Sequence, residues 1–207
     1  MSGIMRALVL CLSLLPLPLL AKPLVLIVGD SISAGFGVPI ENQWPLLLES
    51  NLRGQFPQLT VVAAAVSGDT TSGGRQRLPE LLNRYQPDVV VIALGGNDAL
   101  RGTPLTLVRA NLSAMTTAAQ ASGARVILAG MQIPPNYGPT YTSRFRELYP
   151  QIATESGAGL IPFLLDGVAA TDGMMQEDGI HPTSKAQPVI AALAADAINE
   201  EWLRAAE

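Results

Sequence analysis

The chain has 207 residues and a formal charge of −4, with 48% hydrophobic and 14% charged residues, one cysteine and one histidine. Mild acidity without a basic patch disfavours nucleic-acid binding. The length fits one domain large enough to bury a full core without disulfides.

Residues 1–21 read as a secretory leader: Arg6 is their only charged side chain, Ala7 to Leu20 is apolar apart from Ser13, Pro16 and Pro18, and the small Ala21 ends the stretch. Met5 followed by Arg6 is an alternative start. The apolar stretch is short for a membrane span and holds two prolines, so no stable span is expected once the leader is removed. Cys11 leaves with the leader, so residues 22–207, read as one domain, have no thiol for a nucleophile, a disulfide or a zinc ligand.

The aliphatic run Leu24 to Val28 follows, bounded by Gly29, and predicts a strand buried on both faces. Further strands are predicted over Leu59 to Ala63, Val89 to Leu94, Val126 to Ala129 and Leu160 to Ile161. Segments of helical period separate them: Trp44 to Leu52, Ser72 to Tyr85, Thr106 to Ser122, Tyr141 to Ser156 and Lys185 to Leu203. Strand alternating with helix through short loops implies a parallel sheet covered by helices on both faces, with right-handed crossovers. Glycine and proline concentrate in the loops after the strands, where open α/β sheets bind ligands.

Ser31, in Gly29-Asp30-Ser31-Ile32-Ser33, lies just past the first strand and is a candidate nucleophile. His181 is the only histidine, so a serine nucleophile must use it as base. A lone histidine is more often an exposed or packed side chain. Here Asp178 stands three residues earlier, in Asp178-Gly179-Ile180-His181-Pro182, and on a helical turn i and i+3 share a face, which brings a carboxylate to the imidazole. Asn97, in Gly95-Gly96-Asn97-Asp98 after the third strand, offers an amide donor to an oxyanion. The backbone of Ser67-Gly68-Asp69-Thr70, after the second strand, offers another. Each of these two motifs alone also suits a plain turn. The loop Ile133-Pro134-Pro135-Asn136-Tyr137-Gly138 leaves the sheet at the same edge, and Ile133, Pro134, Pro135 and Tyr137 are expected to bind the acyl part of a substrate.

Together these blocks resemble the GDSL, or SGNH, hydrolase family across residues 22–207. The letters of the second name fall on Ser31, Gly68, Asn97 and His181. Gly68-Asp69-Thr70, Leu94-Gly95-Gly96-Asn97-Asp98, Met131-Gln132-Ile133-Pro134 and Asp178-Gly179-Ile180-His181-Pro182 are similar to its bacterial periplasmic subgroup of thioesterase I, lysophospholipase and arylesterase enzymes. Ile32 stands where leucine is commoner. The resemblance implies a flavodoxin-like three-layer α/β/α sandwich around a five-stranded parallel sheet. It implies a Ser31–His181–Asp178 triad and an oxyanion hole from the Ser31 and Gly68 amides and the Asn97 side chain. It also implies a periplasmic or secreted monomer that needs no cofactor or metal and acts on small acyl esters, thioesters or lysophospholipids.

Other chemistries fit less of the chain. The α/β-hydrolase pentapeptide G-x-S-x-G is absent. Gly35-Phe36-Gly37 lacks the last glycine of a dinucleotide loop, since Ile40 stands there, and there is no P-loop. A metal hydrolase could gather Asp30, Asp69 and Asp98 at strand ends as a hard-cation site. A non-catalytic binding module could use the same pocket. Both leave the Ser31, Asp178 and His181 set without a purpose.

Overall fold

The structure is a computed structural model that describes residues 22–204. The expected leader lies outside the described residues. Five parallel strands form one sheet in the order β2-β1-β3-β4-β5: β1 Leu24–Gly29, β2 Thr60–Ala65, β3 Val89–Ala93, β4 Arg125–Ala129 and β5 Gly159–Ile161. Helix α1 (Trp44–Leu52) packs with α6 (Gln187–Arg204) against the sheet. Helices α2 (Thr71–Tyr85), α4 (Leu105–Ala121) and α5 (Pro139–Ser156) pack in a row as the second layer. This is the expected flavodoxin-like α/β/α sandwich. No helix among the described residues is long and apolar enough to cross a membrane.

The central strands are aliphatic because both faces are covered. Val25 to Val28 in β1, all of β3 and Ile127 to Ala129 in β4 have no exposed surface, and each Val, Leu or Ile among them contributes roughly 1.5–3 kcal/mol by leaving water. The edge strand β2 is only half-buried, and it carries Thr, Val and Ala in place of the larger Leu and Ile found in the central strands. Leu59 belongs to the turn before it, where its N–H donates to Phe56 O.

Two elements depart from the sequence reading. Gly96–Leu100 forms a five-residue helix, α3, where a turn was the alternative to a site loop. The segment from Asp178 to His181 is a turn and not helical. Gly179 has φ 66°, and Met175 pairs with Pro182 across a short antiparallel bridge.

The apolar layers pin the loops that leave the strands. Trp44, fully buried at the start of α1, donates from Nε1 to Ile32 O at 3.2 Å, and its N–H donates to Gln187 Oε1 at 3.1 Å. That ties the loop after β1 to both helices of one layer. On the other side Tyr149 of α5 donates its hydroxyl to Leu94 O at 2.9 Å. A Cβ on Gly95, whose φ is 120°, would lie 2.3 Å from that hydroxyl oxygen, so only glycine fits as the chain turns from β3 into α3.

Candidate active site

The loops after β1, β2 and β3 and the turn before α6 meet at the carboxyl edge of the sheet, where the strand order changes direction between β1 and β3. Ser31, nearly buried, places Oγ 2.8 Å from His181 Nε2. His181 Nδ1 lies 2.6 Å from Asp178 Oδ2. The other Asp178 oxygen accepts the Ile180 and His181 N–H groups at 2.9 and 3.0 Å. The carboxylate thus reaches the imidazole by closing a turn on itself, in place of the shared helical face the spacing suggested. These bonds, the imidazole first among them, lower the Asp178 carboxyl to about 2. An ionised carboxylate can only accept. Nδ1 therefore carries a proton in the neutral ring, and the Nε2 lone pair faces the Ser31 hydroxyl.

The turn bearing His181 is latched to the loop bearing Ser31. Gln176 donates from Nε2 to Phe36 O at 2.8 Å and to Pro182 O at 3.0 Å, while its own N–H donates to His181 O at 2.8 Å. The Phe36 ring, half-exposed, lies 4.5 Å from the imidazole, centroid to centroid. Neither Gln176 nor Phe36 was legible as a site residue, because a bond between loops 140 positions apart leaves no local pattern.

Beside Ser31 the structure leaves donors open. Among the described residues, neither the Ser31 nor the Gly68 N–H has a protein acceptor. Asn97, the second residue of α3, donates one amide proton to Asp30 Oδ2 at 3.2 Å and keeps the other. Gly68 and Asn97 line one cavity with Ser31 and His181. This cavity, of about 620 Å³, is walled by Met131, Ile133, Pro134, Pro135, Phe163 and Leu165. Tyr137 does not line it. It sits in the Pro135–Tyr137 3₁₀ turn with its side chain exposed.

The three aspartates that could have gathered a cation are each held separately by protein donors. Asp69 accepts Arg77 Nε at 2.8 Å, and Asp98 accepts the Thr71 N–H and hydroxyl at 2.7 and 2.8 Å. Asp30 accepts the Ile32 N–H at 3.0 Å and Asn97. Among the described residues no three His, Cys, Asp or Glu side chains are placed to hold a metal ion. Burial raises the Asp30 carboxyl from 3.8 to about 6, against the downward pull of the Ile32 N–H, His181 and Asn97.

Residues 27–187 match the model of the GDSL-like lipase/acylhydrolase family. Esterase TesA of Pseudomonas aeruginosa is 47% identical over 187 residues, spanning 89% of this chain and 93% of that one. The thioesterase 1/protease 1/lysophospholipase L1 of Escherichia coli K12 is 39% identical, spanning 83% of this chain and 81% of its own. A crystal structure of TesA superposes with a TM-score of 0.82 at 44% identity, covering 84% of this chain and 97% of the other. The chain belongs to the GDSL-like lipase/acylhydrolase family and is an ester-bond hydrolase.

The Asp30 environment has a consequence for stability. The folded chain keeps the Asp30 proton up to about pH 6, whereas an ordinary carboxyl releases it near 3.8. Between those values the folded state binds more protons, so this group supports folding less as pH rises through the window. Asp30→Asn removes that dependence, and its Tm relative to the wild type should climb from about pH 4 to pH 6. A flat Tm difference across the window means that Asp30 titrates as an ordinary carboxyl, and a shrinking one that the fold lowers it; either overturns the prediction.

Proposed function

We propose that this member of the family hydrolyses carboxylic esters, thioesters or lysophospholipid acyl esters with Ser31 as nucleophile, His181 as general base and Asp178 as the group that fixes the imidazole tautomer. The carrying observation is the unbroken chain from Asp178 through His181 to Ser31 Oγ, ending in an apolar cavity beside two unused backbone N–H groups. Ser31 Oγ attacks the acyl carbon while its proton passes to His181 Nε2. The resulting imidazolium is stabilised by Asp178, and the oxyanion accepts from the Ser31 and Gly68 amides and the free Asn97 amide proton. Collapse breaks the bond to the leaving oxygen or sulfur, which takes the proton from Nε2, and leaves an acyl group on Ser31. Water then gives a proton to Nε2 and adds to that acyl carbon. Collapse releases the acid, and the proton returns to Ser31 Oγ.

The apolar wall supports an acyl chain lying along Ile133, Pro134 and Pro135, with the proline backbone already restricted before binding. The residue pattern of 1–21 supports export of the remaining chain to the periplasm or the medium.

Three measurements test this reading. Purified Ser31→Ala should hydrolyse no ester above background while unfolding at the wild-type temperature, and Asp178→Asn should lose on the order of 10⁴ in kcat. Residual wild-type turnover in Ser31→Ala removes the nucleophile assignment. Ile133→Ser should reduce kcat/KM progressively with acyl length, since each buried methylene is worth about 0.8 kcal/mol. Parallel plots of kcat/KM against chain length, displaced equally, mean that Ile133 does not contact the chain. The intact mass of the exported protein should match a start at or within a few residues of Lys22. Retention of the full 207 residues in the exported fraction overturns the leader.

A further inference from the structure

Besides the Ser31 amide, the two oxyanion donors, the Gly68 N–H and the Asn97 side chain, follow different strands, and an oxyanion hole works only if its donors converge on one oxygen at about 3 Å each. Gly68 sits in a tight turn. Asp69 N–H donates to Val66 O at 3.0 Å, and Gly68, third in the turn, has φ 80°. Gln86 is the only described non-glycine residue with positive φ, so Ser67 is on the negative side and the turn is type II. Glycine permits this conformation without fixing it in place, because it populates many others equally well. The space around it does little to fix it either. A Cβ built on Gly68 would come within 4 Å of one atom beyond its chain neighbours, Arg101 Nη2, at 3.6 Å.

That nitrogen donates to Gly68 O at 3.0 Å. Arg101 directly follows α3 and its N–H donates to Asn97 O at 3.2 Å. One short helix therefore carries Asn97 near its start and the Gly68 anchor at its end. Between them Asp98 holds Thr71, the first residue of α2, with two bonds. The Arg101 side chain is exposed, and among the described residues its bond to the Gly68 carbonyl is the only side-chain bond it makes.

We propose that Arg101 is a positioning residue for the oxyanion hole: its guanidinium ties the Gly68 turn to α3 and so sets the spacing between the Gly68 N–H and the Asn97 amide. The inference rests on Gly68 and Asn97 being the oxyanion donors. Arg101 touches no substrate in this role. Its effect falls on the transition state, where the charge develops, and not on ester binding.

The test is a double-mutant cycle on the purified enzyme. Arg101→Met should lower kcat about tenfold with KM within about twofold, since a displacement of about 1 Å in a catalytic donor is costly, and Arg101→Lys should recover most of the loss. In a Gly68→Ala background, where the positive φ is already strained and the donor displaced, Arg101→Met should cost much less than in the wild type. An unchanged kcat in Arg101→Met, a change in KM alone, or losses that multiply overturns the proposal. If Arg101→Met fails to fold, Arg101→Gln, which falls short of the Gly68 carbonyl, carries the same comparison. Unchanged kcat in both Gly68→Ala and Asn97→Ala removes the oxyanion assignment itself, a result separate from the Arg101 outcome.

Discussion

The pairing of β1 with β3 is the constraint from which the site follows. Their parallel register ends with Gly29 opposite Ala93, so the two chains leave the sheet side by side and at the same height. This common exit brings Ser31 and Asn97 together. The Asp30 to Asn97 bond then spans the gap between the two exits, and it can do so because parallel neighbours lie about 5 Å apart. A register shift of one residue would turn the β1 side chains to the opposite faces and move Ser31 out of reach of the imidazole.

Beneath the exits lies a polar layer that the apolar core alone would not provide. Asp98 takes two bonds from Thr71, Thr71 accepts from Asn111, and Asn111 accepts from Arg75. Arg77 ties Asp69 to the Ala64 and Gly29 carbonyls. Buried polar groups are costly unless each finds a partner. A network this connected resists rearrangement and gives the loops after β1, β2 and β3 one common footing. That footing is separate from the glycine content of the loops.

The parts of the molecule built on burial were legible in the residues, and the parts built on single polar bonds were not. β1, β3 and β4 announce themselves as uninterrupted aliphatic runs, and α1 starts and ends at the residues its period predicts. Ser31, Gly68, Asn97, Asp178 and His181 converge because each stands just past a strand or in the last loop, a position readable from element order. Helix α3 was missed because five residues with glycine at the first position show no period. Arg101 carried no signal, since a side chain bonding a distant carbonyl obeys no spacing. The Pro-Pro loop reached the cavity as far as Pro135, but a 3₁₀ turn closes there and carries Tyr137 away. Turn geometry at that scale depends on the contacts around it.

The latch between Gln176 and Phe36 joins two parts of the chain that lie far apart in sequence. All five strands are complete by Ile161, and their pairing needs nothing beyond it. Asp178, His181 and Gln176 come later, and they meet Ser31 and Phe36 only after the chain has closed a loop of about 140 residues, a closure whose entropy grows slowly with length. The strands that carry Ser31 therefore lie wholly on the amino-terminal side of the segment that supplies its imidazole partner, and α6, which completes one helical layer, follows that segment. Without that closure Ser31 Oγ has no imidazole beside it, so the one contact that distinguishes this serine hangs on a segment some 150 positions away in the chain.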